Sequence, residues 1–198
     1  MGLWVCRLNM TKKNIRKSLK HQLSMMSERE VIEKSAAIQM NLINLITPLK
    51  ENENILIYKS FANEVMVDEI ESMLFIENKN IFLPKIMPGN NLVFNRLRSN
   101  DQVKHNKYNI IESTDKEEIS PHLLDLIILP LVGVDNNGYR LGYGGGYYDR
   151  GLHNANKSPN KPLIIGLGYE FQNIDQDFGE PHDIKIDILI TENKTLRF

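Results

Sequence analysis

A chain of 198 residues, 41% of them hydrophobic, is large enough for one three-layer core, and its net charge of −1 gives no global basic field to recruit nucleic acid or an anionic membrane. Its single cysteine excludes an intrachain disulfide framework and a cysteine-cluster zinc site, which suits a cytoplasmic protein. No apolar run reaches the roughly 18–20 residues of a membrane-spanning helix.

The first nine residues, MGLWVCRLN, precede a second methionine and lack signal-peptide patterning. They are expected to be an extension upstream of a native start at Met10, leaving residues 10–198 as the working domain. From Thr11 to Met26, apolar Ile15, Leu19 and Leu23 recur every four residues among Lys12, Lys13, Arg16, Lys17, Lys20 and His21. That spacing predicts an amphipathic helix with one packed and one cationic face. Taken alone, the cationic face reads more readily as solvated surface than as a binding site. Ser27 to Glu30 forms a capping-box pattern opening a second helix, with Val31, Ile38, Leu42, Leu45 and Ile46 as its buried stripe and Pro48 as its stop.

Asn54 to Lys59 reads as a short buried strand, and Val67 to Glu77 recovers helical spacing through Ile70, Met73 and Leu74, making a β-α unit. The loop from Ser60 to Glu64 sits at the strand's C-terminal end, where open α/β sheets bind ligands. Glu64 there is either a ligand hydrogen-bonding group or an acid favoured by a helix dipole. Ile81 to Lys85 predicts a strand with Leu92 to Leu97 as antiparallel neighbour, and Lys85 reads as solvated. Residues 98–125 are polar, with an exposed charged patch from Asp115 to Glu118, and no chemistry is expected of them.

The run from Leu126 to Val134 predicts a strand covered on both faces. Asp135-Asn136-Asn137-Gly138 turns the chain, and Gly142, Gly144, Gly145 and Gly146 follow in a loop whose backbone N–H groups can crowd around an anion. Tyr147 to Arg150 opens a helix whose N-terminus adds partial positive charge. Neither the Walker A pattern nor the dinucleotide fingerprint fits, since Tyr147 follows Gly146. A flexible surface hairpin is the alternative; the strand in front, Arg140 and Arg150 at the two ends and the carboxylate of Asp149 favour a triphosphate with a metal. Asn154 to Lys161 is a polar connection, Pro162 to Gly168 a buried strand, and Pro181 to Asp187 leads into a last strand, Ile188 to Thr191. His182 has no paired-histidine spacing, so no zinc site is expected.

RLGYGGGYYDR (Arg140 to Arg150), Lys12 with Arg16 four residues on, Glu64 after the first strand and HDIKID (His182 to Asp187) together resemble the 5-formyltetrahydrofolate cyclo-ligase family, in order over about Thr11 to Glu192. The resemblance implies cyclisation of 5-formyltetrahydrofolate to 5,10-methenyltetrahydrofolate with release of ADP and phosphate, using ATP as co-substrate and Mg²⁺, through a phosphorylated formyl intermediate. It implies an ATP site of Lys12, Lys13, Asn14, Ile15 and Arg16 with Arg140, Leu141, Gly142, Tyr143, Gly144, Gly145, Gly146, Tyr147 and Tyr148. Arg140 and Tyr147 are the implied catalytic residues. The folate would meet Glu64, Phe61, Tyr143, Tyr147 and the Gly144 to Gly146 backbone. Asp149 and Asp183 would hold the metal, with Asp187 the alternative to Asp183.

Some family members carry Arg or Lys inside the glycine loop, where this chain has Tyr143 and Gly145, so phosphate charge falls to Arg140, Arg150, Lys12 or the metal. The expected fold is a single three-layer α/β domain, a mainly parallel sheet with helices on both faces, Rossmann-like in the broad sense, and monomeric unless weakly dimeric. The competing readings are a sugar-phosphate isomerase or CoA-transferase-like enzyme on a similar fold, and a non-catalytic nucleotide-binding regulatory module.

Overall fold

The structure, a computed structural model, describes residues 10–49, 51–99, 103–153, 155 and 161–198. The expectations for residues 1–9 and for most of the 154–161 connection lie outside them. Helix α1 (Lys12–Met25) is capped by Thr11, whose hydroxyl accepts the Asn14 N–H, and buries Ile15, Leu19 and Leu23 as their spacing predicts. Each such side chain contributes about 1.5–3 kcal/mol on burial. Helix α2 (Glu28–Ile46) opens on the predicted capping box of Ser27 and Glu30 and buries Val31, Ile38, Leu42 and Ile46. Leu45 of the predicted stripe is half-buried.

Strand β1 (Asn54–Leu56) is shorter than the predicted run because the chain turns into a loop after Leu56. Helix α3 (Asp68–Ile76) starts at Val67, which has no capping side chain. Its first turn is capped from α2 instead, where buried Gln39 Oε1 accepts the Glu69 N–H at 2.9 Å. A donor that would otherwise be orphaned is thereby satisfied. Strands β2 (Asn80–Met87) and β3 (Asn91–Leu97) form the expected antiparallel pair. Lys85 lies inside β2, opposite Val93.

Residues 98–125 are more structured than their polar texture suggests. They contain β4 (Val103–His105) and β5 (Ile111–Ser113), a small hairpin whose turn is held by Asn106 Oδ1 accepting the Tyr108 and Ile110 N–H groups. The hairpin docks on β2 through Glu112, whose buried carboxylate accepts the Ile86 N–H at 2.9 Å.

The apolar run after it is wholly buried but is not one strand. Strand β6 (Leu126–Pro130) stays in the main sheet, while β7 (Gly133–Val134) leaves it to pair with β8 (Arg140–Leu141). Burial continues across the break because Val132 and Leu141 pack under α1, against Ile15 and Leu19. Gly133 is needed there, since a β-carbon would meet Leu19 Cδ1 at 2.7 Å. Helix α4 (Tyr147–Gly151), β9 (Leu163–Leu167), β10 (Ile188–Ile190) and β11 (Thr195–Arg197) complete the chain. Strand β11 carries no apolar alternation and has no counterpart among the predicted elements; it is a short edge zipped onto β10.

The seven-stranded sheet runs β11-β10-β9-β6-β1-β2-β3. All internal pairings are parallel, and only the edges β3 and β11 are antiparallel. Helices α2 and α3 cover one face over a core that includes Ile38, Leu42, Ile70, Ile128 and Ile165. The opposite face is covered by the α4 region and the 184–186 segment, through Leu152, Ile184 and Ile186. From β1 the chain proceeds to β2 on one side, whereas β6, β9 and β10 build outward on the other. The reversal of strand order therefore lies between β1 and β6, where parallel sheets open a crevice at their C-terminal ends. Among the described residues no helix is long and apolar enough to cross a membrane.

Candidate active site

A cavity of about 1080 Å³ occupies that crevice. It exceeds the roughly 300–1,000 Å³ of a single small-molecule pocket, giving room for two ligands. Its floor is the end of β6 at Pro130 and the residues after β1; α1 contributes Lys12 and Arg16, one turn apart on the same face; and the glycine bend from Gly142 to Gly146 closes one wall.

Arg140 is anchored deep in this wall. It is 5% exposed, its Nε donates to the Pro130 carbonyl at 2.6 Å, and its guanidinium carbon sits 4.9 Å from the centre of the Tyr148 ring. Among the described residues no carboxylate hydrogen-bonds it, and the acid its charge acts on is Glu64. Its terminal nitrogens lie under the glycine bend: a β-carbon on Gly142 would fall 2.9 Å from Nη1. Glycine at 142 is thus what lets the guanidinium sit against the bend. Gly144 and Gly146 take φ of 107° and 63°, left-handed values that L side chains adopt only at a cost.

The other cations are engaged. Arg16 Nε donates to the Gly142 carbonyl at 2.8 Å and Arg150 Nη2 to the Gly145 carbonyl at 2.9 Å, so the two arginines brace the bend from opposite sides. Lys12 Nζ pairs with Asp183 at 2.5 Å and Glu180 at 3.2 Å. Burial works against its ammonium, but the bonds and charges of Asp183 and Glu180 outweigh this and raise its pKa above the usual lysine value. Of the implied ATP contacts on α1, Lys13 and Asn14 are exposed and do not line the cavity. Ile15 does not line it either, because its side chain is spent on packing against Val132 and Leu141.

Glu64 meets the bend at the Tyr143 hydroxyl and is held by a loop with little freedom. Tyr58 donates its hydroxyl to the Val65 carbonyl at 2.8 Å, Asn63 caps the end of α1 through the Leu23 and Met26 carbonyls, and Ser35 accepts the Met66 N–H. Glu64 itself accepts the Phe61 N–H at 2.9 Å and is 8% exposed. Burial pushes its carboxyl up to about 7, against the Phe61 N–H, the Arg140 charge and the Tyr143 hydroxyl, all of which favour the ionised form. Burial likewise raises the Tyr143 and Tyr148 hydroxyls, keeping both neutral. Phe61 lines the cavity with one side open to solvent.

Asp149 and Asp183 both reach the cavity, and Asp187 does not. Asp187 Oδ2 accepts the Ile164 N–H at 2.8 Å, joining the N-terminal ends of β9 and β10 on the far side of the sheet. Asp149 Oδ1 accepts the Ile184 N–H at 3.1 Å, leaving its second oxygen toward the glycine bend. Helix α4 spans only five residues, so its dipole adds little to the charges around it.

Sequence reasoning missed the β4–β5 hairpin as part of this site. Asn106, Tyr108, Ile110 and Glu112 line the cavity, and the Tyr108 hydroxyl lies 3.3 Å from that of Tyr147, bridging hairpin and glycine wall. Asn106 and Asn109 are ordinary turn residues that mark the bend, but nothing local aims it at a cavity. Tyr58 and Lys59 were also missed, as strand residues continuing past the last sheet pair.

The 5-formyltetrahydrofolate cyclo-ligase family model matches residues 9–192, nearly the whole chain. The chain belongs to this family. Among curated cyclo-ligases, that of Haemophilus influenzae is 34% identical over 160 residues, covering 78% of this chain and 83% of the relative. The 5,10-methenyltetrahydrofolate synthetase structure from Aquifex aeolicus superposes with a TM-score of 0.81 at 31% identity, covering 95% of this chain and 93% of the other. The synthetase structure from Mycoplasma pneumoniae gives 0.76 at 27%, covering 92% and 99%. For this cyclo-ligase family member the α/β fold expected from sequence therefore stands on independent structures.

Proposed function

We propose that the protein converts 5-formyltetrahydrofolate and ATP to 5,10-methenyltetrahydrofolate, ADP and phosphate. The observation that carries this reading is Arg140, a nearly buried guanidinium that no carboxylate hydrogen-bonds among the described residues, tucked under a glycine bend with its charge acting on Glu64 in the same cavity. A buried cation whose terminal N–H groups find no protein acceptor among the described residues suits an anionic ligand, and the bend adds backbone donors beside it. The formyl oxygen attacks the γ-phosphorus and ADP leaves, giving an iminophosphate. N10 then attacks the activated carbon, and phosphate leaves and the N10 proton is lost to solvent as the methenyl bridge forms.

No enzyme nucleophile is needed; the work is alignment and charge neutralisation. Arg140 and the bend take the terminal phosphates, with Tyr147 alongside. Arg16 and Lys12 approach from α1, Lys12 on release from Asp183 and Glu180. Glu64, with Tyr143 and Phe61 near it, orients the pteridine. Magnesium fits the donors present: Asp149 and Asp183 offer hard carboxylate oxygens, and this ion takes one or two carboxylates beside phosphates and water. When bound there it would offset the charge of the triphosphate.

Asp149→Asn keeps the oxygen that holds the Ile184 N–H and removes the charge. The half-saturating Mg²⁺ concentration for turnover is expected to rise several-fold at fixed ATP; an unshifted titration removes Asp149 from the ligand set. The assay for the reading as a whole is methenyl absorbance on mixing protein, 5-formyltetrahydrofolate and Mg-ATP. ATP-dependent product supports it. Thermal stabilisation by ATP with no product would instead mark a nucleotide-binding module.

A further inference from the structure

Asp135 lies outside the cavity lining, is fully buried, and faces no cation in any contact among the described residues. Its two carboxylate oxygens accept four backbone N–H groups, divided between two segments. Oδ1 takes Asn137 at 2.9 Å and Tyr139 at 2.8 Å; Oδ2 takes Phe178 at 3.1 Å and Gly179 at 2.8 Å. A turn needs at most the first two. The second pair ties down a stretch 43 and 44 residues further along the chain.

The next residue in each segment gives the arrangement its meaning. Directly after Tyr139 comes Arg140, and directly after Gly179 comes Glu180, which with Asp183 holds Lys12. The two segments are pressed together: a β-carbon on Gly179 would fall 2.1 Å from Tyr139 Cγ. The turn has backbone support of its own, from Asp135 N–H to the Tyr139 carbonyl and Gly138 N–H to the Asp135 carbonyl. Among the described residues, the Phe178 and Gly179 N–H groups have only the carboxylate.

Building on the function proposed above, we propose that Asp135 is a positioning residue that sets the distance between the phosphate-facing Arg140 and the acidic Glu180–Asp183 segment. A neutral amide cannot replace it. One oxygen and one NH₂ group serve one pair of donors and oppose the other, and the turn, with its own bonds, keeps the oxygen. Loss then falls on the 178–183 segment, where the half-buried Phe178 and Gly179 N–H groups lose their acceptor.

The test is Asp135→Asn, with folding verified by circular dichroism and thermal melting. Amide exchange at Phe178 and Gly179 is expected to accelerate, and Mg-ATP affinity by calorimetry to weaken at least tenfold. The affinity for 5-formyltetrahydrofolate is expected to stay within twofold, since the Glu64 loop is untouched. A role confined to stability would lower the melting temperature and leave both affinities alone. A folded variant with wild-type Mg-ATP affinity overturns the proposal.

Should Asp135→Asn not fold, Gly179→Ala pushes the two segments apart by a different route, its β-carbon against the Tyr139 side chain, and the same pair of affinities decides. Both are read without turnover, so a wild type that binds its ligands but makes no product counts against the assigned activity alone. A wild type that binds neither ligand overturns both.

Discussion

Replacing Arg140 by alanine is expected to lower turnover about 10²-fold or more, the scale seen when one preorganised electrostatic contact to developing charge is removed. The effect is large because the guanidinium is 5% exposed and acts where water screens little. It is also already aimed: the Nε bond to the Pro130 carbonyl and the Tyr148 ring fix its plane before any ligand arrives. Arg140→Lys separates charge from geometry. An ammonium cannot bond Pro130 and fork toward a phosphate at once, so lysine is expected to recover only part of the loss. Steady-state rates with methenyl absorbance decide, and near-wild-type turnover in the alanine variant would remove Arg140 from the phosphate site.

The second large effect concerns Glu64. Its carboxyl titrates near 4.5 when unperturbed and is pushed up to about 7 in the fold. Between those values the native state holds a proton that the unfolded chain has released. Stability is therefore fully present below about pH 4.5 and declines as pH rises through 7. The amplitude is roughly 3 kcal/mol for one group shifted this far. Glu64→Gln keeps an acceptor for the Phe61 N–H and cannot ionise, so this decline should be absent: relative to wild type, the variant gains melting temperature at pH 8 compared with pH 5.

Catalysis runs the other way. On the proposed reading the ionised carboxylate is the form that would accept hydrogen bonds from pteridine N–H donors, so wild-type kcat/KM for 5-formyltetrahydrofolate is expected to rise with pH across the range around 7, reporting the free enzyme. In Glu64→Gln that step should vanish and kcat/KM drop roughly 10- to 100-fold, the worth of a buried bond to a charged group. A variant with an unaltered pH profile would show that another group titrates there.

Part of this site could be read from the sequence because its signals are local. Four-residue spacing marked Ile15, Leu19 and Leu23 as the packed stripe of α1, and Lys12 and Arg16, one turn apart, lie half-buried along the edge of that same side. Lys13, Asn14 and Ile15, which the resemblance groups with them, do not line the cavity, since consecutive helix residues face different ways. The glycine bend was visible from composition alone. That Gly142 is the one making room for a guanidinium was not, because Arg140 reaches it through a side chain whose path depends on Pro130 and Tyr148. Asp187 and Asp183 are alike in a string of letters; only the fold turns one into a clamp between strands and the other toward the cavity.

The chain by itself determined the capped helices, the buried strands and the turn-rich loop, because apolar periodicity, capping and backbone freedom act within a few residues. It could not decide which strand run would break after Pro130, that a polar hairpin would carry Tyr108 to Tyr147, or that Lys12 would find Asp183 171 positions away. Those outcomes, with the raised carboxyl of Glu64, come from burial and from contacts between distant segments. A side chain's charge and partners depend on what the rest of the molecule packs around it, and that exists only once the sheet has assembled.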